Sequence, residues 1–169
     1  MADGKNSRLY KRLVYDEQVA SDVSAFNYSL EIAGFVGIVA TARPGESLTR
    51  LEALVDEEIR SLSAKGPTLE ELSRVKAGQE FGFLSGLERI GGFGGKADRL
   101  AMYQTFLGSP DFIERDYARY QKLETRDILE AANRYLLAPR LTVSFCPEKA
   151  VLKESKEPKR EEVPEVKTS

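Results

Sequence analysis

Between positions 48 and 62 the apolar residues Leu48, Leu51, Val55, Ile59 and Leu62 recur at spacings of three and four. That spacing puts them on one stripe and predicts a helix with a single buried face. Ser47 stands where its N-cap belongs, and Lys65-Gly66-Pro67 stops it. Thr68-Leu69-Glu70-Glu71 opens a second helix, predicted to run to about Glu88. Threonine at N-cap with glutamate at N3 is a capping box, in which each side chain satisfies an orphan backbone donor of the other residue. A third helix is predicted over Lys96 to Leu107, with Leu100, Tyr103 and Leu107 on a face. Gly108-Ser109-Pro110 ends it and opens a fourth, with Ser109 at N-cap, Pro110 at N1, and Phe112, Ile113, Tyr117 and Tyr120 as its apolar side. Thr125 caps a last helix carrying Ile128, Ala131, Ala132, Tyr135 and Leu136.

Upstream of this block the pattern differs. Ser7 to about Asp16 reads as a short helix, with Leu9 and Leu13 near one stripe. From Val19 to Leu30 the period becomes two, with Val23, Ala25 and Asn27 alternating with Ser24, Phe26, Tyr28 and Leu30. Phe35 to Ala42 is a second strand, β-branched and mostly apolar, and its closeness in sequence predicts an antiparallel hairpin. Arg140 to Cys146 returns to strand alternation and Pro147 stops it. Segregated helices with a small, mostly antiparallel sheet packed against them make an α+β fold. Leu51, Val55, Ile59, Leu72, Leu100 and Val143 are its expected core residues. From Glu148 onward lysine and glutamate mix with Pro158 and Pro164, which predicts a charged, largely disordered tail or linker over 148–169 and leaves 1–147 as the domain.

Composition narrows the function more than it changes the fold. With 41% hydrophobic and 31% charged residues the chain has globular composition, which argues against wholesale disorder. The net charge of -2 supplies no basic field for nucleic acid or anionic lipid. No segment reaches the roughly 18–20 apolar residues that span a bilayer, so membrane insertion is not expected. Met1 to Asn6 lacks an apolar h-region, so no signal peptide is read here. Cys146 is the single cysteine, which rules out an intramolecular disulfide, and its apolar neighbours predict a buried thiol. The chain has no histidine, which excludes within it a Ser-His-Asp triad, a Cys-His pair and an HxxEH zinc site. As an isolated chain it is therefore not expected to be an enzyme, and it needs no cofactor of its own.

The glycine-rich stretch Gly91-Gly92-Phe93-Gly94-Gly95 interrupts the helices. It follows a helix instead of a strand, so it is no dinucleotide fingerprint. Ile90 and Ala97 stand where a Walker loop needs glycine and Ser or Thr. A loop or hinge is one reading. Contact of Gly92, Phe93, Gly94 and Gly95 with a substrate or another domain is the functional one. Glu57-Glu58 and Glu70-Glu71 are paired carboxylates in form, but adjacent helical positions diverge by about 100°, which predicts a solvated helix face.

Several segments together resemble one family. Ser7-Arg8-Leu9-Tyr10 through Leu13-Val14 and Ala20, Ala40-Thr41-Ala42-Arg43-Pro44-Gly45, Gly66-Pro67-Thr68 through Leu72, and Thr125 with Ala131 through Leu136 follow the order and spacing of pitrilysin/insulinase-family zinc metallopeptidases. Gly91 to Leu100 is similar to a glycine-rich segment of bacterial members. The resemblance covers about Gly4 to Pro147. It implies the metallohydrolase domain shared with mitochondrial processing peptidase, and, with no histidine, a non-catalytic copy of it. The family's zinc would then belong to a separate HxxEH-containing domain or subunit, the partner with which this chain would hold an extended peptide substrate. Members of the family often place a catalytic Arg and Tyr where this chain has Val14 and Ser21, so no catalytic role is carried over. Tyr10, Arg12 and Tyr15 lie near but out of register. A strand and part of a helix precede this region in the family, so a partial domain with an uncovered sheet edge and a tendency to self-associate is expected. Bacterial relatives imply a periplasmic or secreted parent. The second reading, from the residues alone, is a stand-alone interaction module that pairs extended peptides at its sheet edge.

Overall fold

A strand or helix is stable when its apolar side finds a neighbour, and in this chain the neighbours gather around a short N-terminal helical segment. The computed structural model describes residues 1–2 and 4–147, so the charged stretch 148–169 lies outside the described residues. Met1–Pro139 forms one compact unit, and residues from Arg140 fall in a second.

The first unit opens with α1 (Arg8–Tyr10), which widens directly into a π-helical turn over Lys11–Asp16. There the Glu17 amide reaches back five residues to the Arg12 carbonyl at 2.9 Å. β1 (Ala20–Ser29) and β2 (Gly34–Ala42) form the expected antiparallel hairpin, with Val23 opposite Ala40, Ala25 opposite Ile38 and a bulge between Ala20 and Asp22. One face of the hairpin packs with the N-terminal segment and α2 (Leu48–Lys65). Leu9, Leu13, Val19, Ala20, Val23, Leu51 and Leu54 form the core there. Ser47 caps α2, accepting from the Arg50 amide.

The helical block follows as α3 (Leu69–Glu88), α4 (Lys96–Leu107), α5 (Ile113–Gln121) and α6 (Thr125–Ala131), the last continuing as a π-helical turn over Ala132–Leu136. The capping box of α3 is formed: Thr68 Oγ1 accepts from the Glu71 amide at 3.1 Å, and Glu71 Oε2 accepts from the Thr68 amide at 2.8 Å. α5 braces α3, since Tyr117 Oη donates to Glu80 at 2.7 Å and Lys76 Nζ donates to the Gln121 carbonyl at 2.7 Å. α6 leans on α2, where Asn133 Nδ2 donates to the Ser63 carbonyl at 2.9 Å.

Several expectations are corrected. Arg140 to Cys146 forms no strand, and the sheet of the described residues has two strands, not three. A period-two pattern shows that a segment suits a ladder, but the ladder itself needs a neighbouring backbone. Val143 is accordingly 60% exposed instead of buried, and the Cys146 thiol is exposed. α5 begins at Ile113, after Phe112, not at Pro110. Ser109 Oγ instead holds the Asp111 amide in a turn, and the Phe112 ring packs against Tyr103 at 5.7 Å. Thr125 is the first residue of α6, and Glu124 is its cap, paired with Asp127 in a capping box. Leu51 and Ile59 are buried as expected, whereas Val55, Leu72 and Leu100 are half-buried because their helices are covered on part of one side.

Candidate functional site

The connection between α3 and α4 is a closed loop built on glycine. The Lys96 amide donates to the Arg89 carbonyl at 2.8 Å and the Ala97 amide to the Ile90 carbonyl at 2.9 Å, so the loop's two ends are hydrogen-bonded together. Asp98 Oδ2 accepts from the Gly94 amide at 2.9 Å and satisfies a backbone donor ahead of α4. Gly92 and Gly94 sit at φ +80° and +74°, where a Cβ is strained. The loop is thus closed on itself by backbone hydrogen bonds. Of Gly92, Phe93, Gly94 and Gly95, Phe93 alone has a side chain to offer, and it is 98% exposed. Ile90, at the start of the same loop, is also exposed. Arg99 lies over the Phe83 ring at 4.3 Å and ties α4 to α3 behind the loop.

Two glycines of α3 mark where this packing begins. A Cβ on Gly82 would meet nothing within 4 Å, whereas one on Gly86 would come within 2.9 Å of the Gly94 carbonyl and 3.1 Å of the Arg99 guanidinium. Gly82→Ala is therefore expected to stabilise the unit by about 0.5–1 kcal/mol through helix propensity. Gly86→Ala is expected to destabilise it, because the same propensity gain is overtaken by the clash with loop backbone. Urea melts of the two variants read opposite signs if the loop is packed as described.

At the junction of the π-helical turn with β1, Val14 and Ser21 have structural surroundings. The Val14 side chain is buried in the core, and Ser21 Oγ donates to the Thr41 carbonyl at 3.2 Å. Arg43 holds this junction from the end of β2, donating to the carbonyls of Ala20 and Val14 at 3.2 and 3.4 Å. Tyr10 and Tyr15 pack edge-to-face on each other at 5.4 Å, and Arg12 is shared between Glu17 and Glu57 at 3.2 and 3.3 Å. Glu57 is thereby paired to a cation at the surface.

Glu71 does what its spacing did not reveal. Arg8 grips it in a fork, Nε to Oε1 and Nη2 to Oε2, each at 2.6 Å, and the same Nη2 donates to the Gly66 carbonyl at 3.0 Å. The hydrogen bond from Arg8 holds the Glu71 carboxyl down at about 2, with the Thr68 amide adding to the effect against partial burial. No local pattern joins residues 63 positions apart, so sequence reasoning had no signal for this clamp. The phenol of Tyr103 is pushed up to about 12, first by burial and then by its bond to Asp116, which leaves it a donor at neutral pH. Among the described residues no three of His, Cys, Asp or Glu come together to hold a metal ion. The described residues do not fit a zinc site.

Over residues 1–79 the chain matches the Peptidase M16 inactive domain. No match is found among curated proteins. Three solved structures share the fold. One, from Bordetella pertussis Tohama I and designated a zinc protease, is 24% identical over 80% of this chain and 73% of its own, with a TM-score of 0.67. Another, the inactive peptidase domain of a Bordetella parapertussis protein designated a zinc protease, is 23% identical over 81% of this chain and 72% of its own, with a TM-score of 0.68. A protease from Helicobacter pylori is 21% identical over 80% of this chain but 32% of its own, with a TM-score of 0.66.

Proposed function

We propose that this chain, which over residues 1–79 matches the Peptidase M16 inactive domain, serves a zinc protease as part of its substrate chamber. The domain is a non-catalytic one of the pitrilysin/insulinase type. Its role is to present surface to a zinc-bearing domain or subunit and to an extended peptide held between the two. The observation that carries this reading is the inactive-domain match, and the absence of histidine from the sequence agrees with it: an HxxEH site requires two. The zinc and the water it activates belong to the partner, and no step of the hydrolysis is assigned to residues of this chain.

The loop of Gly92, Phe93, Gly94 and Gly95 is the contact we assign to the peptide or to the facing domain. Its backbone is held by the Arg89–Lys96 and Ile90–Ala97 hydrogen bonds, so little ordering entropy is lost on binding. Phe93 then offers an aromatic ring whose burial is worth about 1.5–3 kcal/mol. Cleavage of a quenched fluorescent peptide library, with zinc, tests both statements. The chain alone is expected to show none, and a mixture with an HxxEH-containing half from the same source is expected to cleave. Phe93→Ala in that mixture is expected to lower kcat/KM about tenfold or more. No gain on mixing folded components would remove the peptidase role. A gain that Phe93→Ala leaves intact would remove the loop from it.

A further inference from the structure

Most arginines whose surroundings are fixed in this fold answer a carboxylate: Arg8 with Glu71, Arg12 with Glu17 and Glu57, Arg119 with Asp116. The base of the loop between α3 and α4 is different. The Lys96 amide donates to the Arg89 carbonyl at 2.8 Å, which fixes these two cationic residues side by side where the loop closes. Both are exposed. Among the described residues neither side chain makes an ion pair or a hydrogen bond. A Cβ added to Gly94 would come within 3.9 Å of Arg89 Nη2, so the guanidinium lies beside the loop. The carboxylates close by in the chain do not neutralise the pair. Asp98 accepts from the Gly94 amide at 2.9 Å, and Glu88, exposed at the end of α3, pairs with neither cation. Arg99 is turned to the Phe83 ring.

We infer that Arg89 and Lys96 are specificity-determining residues, and that they select peptides carrying an aspartate or glutamate close to a large apolar residue. Two like charges held together by backbone hydrogen bonds repel, and an arriving carboxylate relieves that repulsion while it pairs. Arg89 can take a carboxylate with two parallel hydrogen bonds, and Lys96 adds a point charge. Phe93, 98% exposed, and Ile90, 81% exposed, lie between the two cations in the chain and supply the apolar half of the contact. An extended peptide advances about 3.3 Å per residue, so the acidic and the apolar side chain it presents stand within a few residues of each other. The chain as a whole carries -2, so the attraction is local to the loop and not a property of the overall field. The inference rests on the assignment of this loop to the peptide, and it adds the class of side chain that the peptide must carry.

The full chain mixed with the HxxEH-containing half tests it, on quenched fluorescent peptides that differ only in carrying Asp, Asn or Lys at one scanned position. At one position the Asp peptide is expected to exceed the Lys peptide about tenfold in kcat/KM, with Asn between them, and the ratio is expected to shrink as salt is raised. The double variant Arg89→Glu with Lys96→Glu is expected to invert the order at that position and to leave the others unchanged. Should it lose its cooperative melt, Arg89→Gln with Lys96→Gln takes its place and is expected to level the three peptides. Cleavage that Phe93→Ala weakens but that shows no charge preference at any position overturns the inference and leaves the loop's role standing. A preference that the double variants leave unchanged also overturns it. So does a double variant that no longer co-sediments with the HxxEH-containing half, because the cations then face that half and not the peptide. A wild-type mixture that cleaves nothing removes the peptidase reading and this inference with it.

Discussion

Leu13→Ala is expected to lower the stability of the folded unit by about 3–4 kcal/mol, the largest single-residue effect in this protein. Leu13 is fully buried, and with Leu9 and Val19 it is among the side chains that reach no solvent at all. It lies on the π-helical turn, under the hairpin and against α2, so its removal opens a cavity between all three elements. The loss combines the transfer free energy of the deleted atoms with the cavity left when a close-packed site cannot collapse. For a domain whose total stability is of the order of 5–15 kcal/mol, that is a large share. Urea denaturation at a fixed, low protein concentration measures it as a shift in midpoint at unchanged slope. Ile32→Ala, at a hairpin-turn position 98% exposed, is the matched control and is expected to change stability by no more than about 0.5 kcal/mol. Equal effects at the two positions would contradict the placement of the core.

Glu71→Gln is expected to cost about 2–3 kcal/mol at neutral pH, second to the core leucine. The substitution keeps an oxygen to accept from the Thr68 amide but loses the charge that the Arg8 fork engages at two points. It is larger than an ordinary surface pair because both partners are mostly covered and the geometry is bidentate. The pH dependence follows from the direction of the shift. The folded state holds the Glu71 carboxyl near 2 against an ordinary value of 4.5, so it binds that proton more weakly than the unfolded chain does. The stabilisation is therefore complete above the unfolded value and is lost as pH falls from about 4.5 towards about 2, with more than half of it gone near pH 3. Melting the wild type and Glu71→Gln side by side across that range is expected to bring the two curves together at the acid end. A difference that stays constant with pH would mean that Arg8 is held by something other than this carboxylate.

Helices were legible in the sequence where their signals were local. The stripe from Leu48 to Leu62, the Ser47 cap, the Lys65-Gly66-Pro67 stop and the Thr68–Glu71 box all act within a turn or two of the residues that carry them. α2, α3 and α4 accordingly begin and end where the pattern placed them. α5 shows the opposite case. Pro110 suits the first turn of a helix, but the packing of Phe112 on Tyr103 competes with it, and the helix starts three residues later. Residues 140–146 alternate as a strand should, yet alternation supplies no partner backbone, and the two-stranded sheet of the described residues does not include them. At the candidate site the glycine stretch was visible as composition. That Gly92 and Gly94 serve positive φ while Phe93 projects from the loop required the folded backbone.

By itself the sequence determined what depends on short range: helical stripes, the caps of α2 and α3, an antiparallel hairpin, an α+β class, and, through the absence of histidine, a chain that cannot build an HxxEH zinc site. The tertiary structure decided depth and pairing. It put the deepest core on Leu9 and Leu13 of a nine-residue N-terminal helical segment instead of on the long helices, and joined Arg8 to Glu71. The physical reason is that propensity and capping act between residues a few positions apart. Burial, ion pairing and strand partnership depend on which distant segments meet, and no spacing along the chain records that.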